Sequence, residues 1–153
     1  MSAARPRHWP MHQFPVIDDC LQIGGLPLTQ LAARVGQTPF YAYDRRLLEE
    51  RVTLLRQVLP PELELHYAVK ANPMPAVVQH LSRLINGLDV ASLGELTVAL
   101  DAGMDPAEIS FAGPGKRPPE LAAAIAAGIT INLESAGELE TVARLSQAQG
   151  RQP

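Results

Sequence analysis

Leu63-Glu64-Leu65-His66-Tyr67-Ala68-Val69-Lys70 is the stretch on which the fold turns. Side chains alternate across an extended strand. Leu63, Leu65, Tyr67 and Val69 therefore form one apolar set, while His66, Ala68 and Lys70 form the other. Three later runs divide in the same way. Leu88 and Val90 oppose Asp89 and Ala91; Ile109 and Phe111 oppose Ser110 and Ala112; Ile129, Ile131 and Leu133 oppose Thr130, Asn132 and Glu134. A sheet covered by helices on both faces would read as near-continuous apolar runs. A well-filled barrel interior would be dominated by Val, Ile and Leu. Neither describes these strands. They suit a barrel whose outside is covered by helices and whose partly polar lumen leaves room for a ligand; an open sheet with one solvated face is the alternative.

Helical patterns follow each run, at Pro75–Leu84, Gly94–Ala102, Pro118–Ala127 and Ala136–Ala148. Pro75 and Pro118 stand near helix starts, and Gly103 and Gly128 at helix ends. Ser92–Glu95 and Ser135–Glu138 each have capping-box spacing directly after a strand. The order is β-α-β-α-β-α-β-α, so the class is α/β with a parallel sheet. A (β/α)8 TIM barrel takes about 250 residues. Four βα units are therefore expected to make about half of one, over residues 28–153. Ahead of them, Leu28–Val35 reads as a helix ended by Gly36, Phe40–Tyr43 as a short aromatic strand, and Arg45–Leu59 as an amphipathic helix ended by Pro60-Pro61. Residues 1–27, rich in Pro and His, read as a loose leader.

The chain has 153 residues, 46% hydrophobic and 19% charged, with a net charge of -3. Its 13 basic residues are scattered, which provides no electrostatic footprint for nucleic acid or an anionic membrane. Leu121–Leu133 is alanine-rich, too short and interrupted by Gly128, so it is no membrane span. The N-terminus lacks the apolar core of a secretory signal. Cys20 is the single cysteine, which excludes an internal disulfide and fits a reducing compartment; it reads as a small apolar residue. The expected location is cytoplasmic.

The strongest local signal is Tyr67-Ala68-Val69-Lys70-Ala71-Asn72-Pro73. The carboxyl ends of barrel strands carry the active face. A lysine amine placed there can form a Schiff base with an aldehyde, and Ala68 on the same face would leave space beneath it. The alternative is a strand-end lysine reaching for solvent. Asp89 reads as a pocket acid or a solvated carboxylate, and Lys116 as a barrel-mouth lysine or a plain surface one. Glu134 reads as structural, near a helix N-terminus. His66 reads as an interior histidine, and His8, His12 and His80 show no metal-ligand spacing, so no metal is expected.

Tyr67–Asn72 resembles the lysine hexapeptide of the pyridoxal-phosphate barrel decarboxylases, the ornithine, diaminopimelate and arginine decarboxylases of the alanine-racemase-like fold. Thr38-Pro39-Phe40-Tyr41-Ala42-Tyr43-Asp44 is similar to their lead-in, and Gly87-Leu88-Asp89-Val90-Ala91-Ser92-Leu93-Gly94-Glu95-Leu96 to their second-strand motif. Ile109–Lys116 and Asn132–Leu139 resemble the third and fourth. The likeness runs in order over about residues 25–150. It implies pyridoxal 5'-phosphate as cofactor, Lys70 as the residue that carries it, and Ala68 and Asp89 as pocket residues. It also implies a small amino-acid substrate and a homodimeric full-length enzyme.

Two departures refine this. Racemases of the same barrel continue after the lysine motif with Ala-Tyr-Gly-His, where this chain has Pro73-Met74-Pro75. Diaminopimelate decarboxylases usually read His-Gly-Asn-Asn-Lys at the third strand, where this chain has Ala112-Gly113-Pro114-Gly115-Lys116. That third-strand variant resembles the exosortase-associated decarboxylases. In the family the Gly-rich phosphate loop, the acid facing the pyridine nitrogen, and a Cys and Tyr from the partner subunit come later; none of these motifs follows Lys116. The expectation is an incomplete part of a decarboxylase, inactive and prone to associate alone. The alternatives are a non-catalytic homologue acting through subunit association, or a racemase.

Overall fold

Two dipeptides shape the N-terminal part of the computed structural model, which describes residues 12–151. Asp18-Asp19 and Gly24-Gly25 all take positive φ, at 50°, 56°, 59° and 76°. Two consecutive left-handed residues make the tight loop whose twist matches flanking antiparallel strands. Accordingly β1 (Val16–Ile17), β2 (Cys20–Ile23) and β3 (Leu26–Pro27) form an antiparallel meander. This corrects the loose-leader reading for residues 16–27; residues 1–11, with His8, lie outside the described residues. Gly-Gly between apolar residues was the overlooked signal. Helix α1 (Leu28–Val35) follows and ends at Gly36, which is left-handed as expected.

Phe40–Tyr43 forms no strand and pairs with none among the described residues. Tyr41 is 91% exposed and its ring stacks on Tyr43 at 6.5 Å, so the aromatics meet each other rather than a sheet. Asp44 then caps α2 (Arg45–Val58), its Oδ1 accepting from the Arg46 amide at 2.9 Å. The chain divides into two compact units, residues 1–53 and 54–153.

In the second unit the sheet is parallel, in the order β4 (His66–Ala68), β5 (Gly87–Val90), β6 (Ile109–Phe111) and β7 (Thr130–Ile131). Alternating with them are α3 (Pro75–Leu81), α4 (Leu93–Asp101), α5 (Pro118–Ala127) and α6 (Ala136–Gln149). The spatial order follows the chain order without reversal. Right-handed crossovers that always step the same way leave every helix on one face, which is how a barrel winds. The fold is α/β, four βα units of the (β/α)8 type.

The strands' apolar sets supply the core beneath the helices: Val69, Leu88, Val90, Ile109 and Phe111 pack with Val78, Leu96, Ala99 and Ala124. Each such large side chain contributes roughly 1.5–3 kcal/mol by leaving water. A smaller cluster of Leu121, Ile125 and Val142 lies between α5 and α6. The predicted strands are longer than the observed ones. Leu63 and Leu133, at their outer ends, are half exposed, and β7 pairs only with β6 among the described residues. Gly87 is required by close approach: a Cβ there would collide with the Glu108 carbonyl oxygen and the His66 ring.

Candidate active site

At the carboxyl end of β4 the chain does not stay extended. Val69–Ala71 forms one turn of 3-10 helix, so Lys70 stands just past the strand rather than as its last residue. The turn is held by the Asn72 amide on the Val69 carbonyl (3.1 Å) and the Tyr67 hydroxyl on the Asn72 carbonyl (3.1 Å). Val69 points into the core and is fully buried, whereas Lys70 is exposed and lines a cleft.

Register then decides what Lys70 meets. Ala68 lies opposite Asp89, and Asp89 opposite Ser110. Lys70, Asp89, Ser110 and Asn132 converge on one cleft of about 250 Å³, with Ala68, Ala91, Ala112 and Gly113 between them. The polar sets read from strand alternation thus share one cleft. The opposite set, Val69, Val90, Phe111 and Ile131, lies on the helix-covered side. Small residues make the walls between the polar groups, so space is left where a filled barrel would place Val or Leu.

Lys70 is exposed and makes no hydrogen bond or ion pair with any described residue. Asp89 is well bonded: its Oδ1 accepts from the Ser110 hydroxyl at 2.6 Å and from His66 Nδ1 at 3.1 Å. The His66–Asp89 bond was not read from the sequence. It spans neighbouring strands two residues out of step, and only register shows it. Register also brings Glu64, His66 and Glu108 together at the amino ends of the strands, their ligand atoms within 4.8 Å of one another. No spacing along the chain displayed that grouping.

Lys116 matches neither reading made of it. Its side chain is 1% exposed and its Nζ bonds the Gly113 carbonyl (2.7 Å) and both oxygens of Glu138 (3.0 and 3.1 Å). It also sits over the Phe111 ring at 5.9 Å. It is a buried clamp on the β6–α5 loop, not a mouth or surface lysine. Burial pushes the Glu138 carboxyl up, but the Glu134 amide and the Lys116 ammonium outweigh it, so the net direction is down. Glu134 is structural, as expected: its Oε1 accepts from the Gly113 amide at 2.5 Å.

The two Ser-x-x-Glu sequences cap as read. Ser92 and Ser135 accept from the Glu95 and Glu138 amides, while those glutamates reach back to the amides of Ala91 and Glu134. Glu120 does the same at α5 and adds a tie to α4. It accepts from the Arg117 amide and Nε (3.0 and 3.1 Å) and from the Leu93 amide (3.1 Å). The Arg117 side chain first, then those two amides, pull its carboxyl down to about 2.

An amine just past the end of a parallel strand, on a cleft it shares with a pinned carboxylate and three alanines, is chemically suited to forming a Schiff base with an aldehyde. Residues 45–151 match the family described as pyridoxal-dependent decarboxylase, pyridoxal binding domain, and the chain belongs to that family. Diaminopimelate decarboxylase of Aquifex aeolicus is 38% identical over 135 residues, 88% of this chain and 32% of that protein. The crystal structure of AQ1208 from the same organism superposes with a TM-score of 0.83 at 37% identity, over 90% of this chain and 34% of that one. Helicobacter pylori diaminopimelate decarboxylase complexed with L-lysine superposes at 0.70 with 33% identity, over 80% of this chain and 32% of that one. The chain thus spans about a third of the length of these relatives. Among its described residues no helix is long and apolar enough to cross a membrane.

Proposed function

We propose that this chain supplies the lysine-bearing part of a pyridoxal-phosphate-dependent amino-acid decarboxylase of the diaminopimelate type. The observation that carries the reading is Lys70, an exposed amine without a partner among the described residues, opening on a cleft it shares with Asp89. The chain has two lysines, and the other, Lys116, is buried and paired. Of the two lysines, Lys70 is the one free to act as a nucleophile toward an aldehyde.

The residues fit the cofactor on their chemistry. Lys70 offers the amine, and Ala68, Ala91 and Ala112 leave a flat group room. Asp89 offers an ionised acceptor to a cationic or N–H-bearing group. When bound, pyridoxal phosphate supplies the electron sink that stabilises the carbanion left by loss of a carboxylate. No second basic side chain lines the cleft, so its described lining supplies no cation for the phosphate. Ala112, where the diaminopimelate enzymes usually carry histidine, widens the cleft beside Asn132 and leaves a related amino acid as substrate within the reading. We place the enzyme in the cytoplasm as a homodimer, with residues 28–153 as its half-barrel and Lys70, Ala68 and Asp89 as its cofactor-contacting residues.

The test is to add pyridoxal phosphate to the chain, reduce with borohydride and map the peptides. Cofactor mass is expected on the peptide containing Lys70 and absent after Lys70→Ala. Mass on Lys116 or the N-terminal amine instead would overturn the reading.

A further inference from the structure

Two side chains hold Asp89 by a single carboxylate oxygen. An ionised carboxylate only accepts, so His66 must donate through Nδ1. The Ser110 hydroxyl donates to the same oxygen, at 2.6 Å, the short range of charge-assisted bonds. Both donors crowd Oδ1 and come from the strands on either side, β4 and β6. No described residue hydrogen-bonds to Oδ2. With its side chain 44% exposed, Asp89 still reaches the cleft.

We propose that His66 and Ser110 are positioning residues that pin Asp89 by one oxygen, so that the other is presented to the cleft as a fixed acceptor for the pyridoxal group. The proposal rests on the reading of Lys70 given above. His66 and Ser110 stand on the polar sets of their strands, opposite the side chains that form the core, and the His66 side chain is 27% exposed. Two donors from adjacent strands remove the freedom of a side chain that would otherwise rotate, so that freedom does not have to be lost on binding. The other charged groups facing the imidazole are Glu64, 4.0 Å from Nε2, and Glu108, whose carboxylate lies within 4.8 Å of the other two side chains' ligand atoms. Neither reaches Nδ1, which is committed to Asp89.

Two measurements on the whole chain test this. In the cofactor-free chain at pH 8, long-range proton–nitrogen spectra should show His66 protonated at Nδ1, and Asp89→Ala should abolish that preference. The opposite tautomer in the unaltered chain would overturn the positioning, whatever the cofactor does. Pyridoxal phosphate is then titrated and its lysine-bound visible band followed. His66→Phe and Ser110→Ala should each weaken uptake about tenfold, the size typical of bonds that orient a ligating group. The melting transition should stay in place. His66→Asn keeps an N–H near the Nδ1 position and should lie much nearer the unaltered chain than His66→Phe does. Unchanged uptake in His66→Phe, or equal losses in the two histidine variants, would overturn the proposal. A chain with the expected tautomer but no lysine-bound band would instead sink the reading of Lys70, and with it the acceptor role of Asp89.

Discussion

Replacing Glu120 by Gln removes a charge while keeping size and shape, and the structure sets what that loss is worth. The carboxyl lies at about 2 against an ordinary 4.5, held there by the Arg117 side chain and the amides of Arg117 and Leu93. Because the folded value is depressed, the contribution is fully present above the unfolded value. It is lost as pH falls through the window from about 4.5 to about 2. A gap of about 2.5 units corresponds to about 3 kcal/mol. Glu120 is 8% exposed, but Arg117 is 76% exposed and screened by solvent. The expected loss in Glu120→Gln is therefore about 2–3 kcal/mol at pH 7, and less than half of that at pH 3. Urea unfolding followed by circular dichroism reads it. With a slope of about 2 kcal/mol per molar, the midpoint at pH 7 should fall by about 1 M. A loss of equal size at both pH values, or below about 0.5 kcal/mol at pH 7, would refute the assignment of this carboxylate as the tie between α4 and α5.

Other perturbations follow from the same geometry. Lys116→Met should cost about 3–5 kcal/mol by leaving Glu138 buried and unpaired. Combined with Glu138→Gln it should show a favourable coupling of about 1 kcal/mol or more in a double-mutant cycle; strict additivity would mean the pair does not act as one. Gly87→Ala should destabilise by about 1–3 kcal/mol and displace the His66 ring, seen as a shift of its imidazole resonances. Among the described residues β4 and β7 each pair on one side only, and Leu133 and Leu139 are about half exposed. Sedimentation should accordingly find the 153-residue chain associated, since open edges template pairing; a lone monomer at high concentration would contradict this.

What could be read from the chain alone was whatever depends on local period and punctuation. Alternation in the four strand runs gave the polar and apolar faces, and with them the convergence of Lys70, Asp89, Ser110 and Asn132. The Ser-x-x-Glu spacings located the starts of α4 and α6, because a cap is made within four residues. The β1–β3 meander was equally local, carried by Gly24-Gly25, and was overlooked because Pro and His dominated the composition around it. Tertiary structure alone decided the rest. Lys116 looked like any exposed lysine until the β7–α6 loop brought Glu138 to it from 22 residues away. His66 became a partner of Asp89 only when parallel register set β4 beside β5, since contacts between strands have no period along the chain. Burial and pairing are properties of what a residue is packed against. The sequence therefore placed Lys70 on the polar face, and the packing alone determined that Lys70 is left unpaired among the described residues while Lys116 is buried and paired.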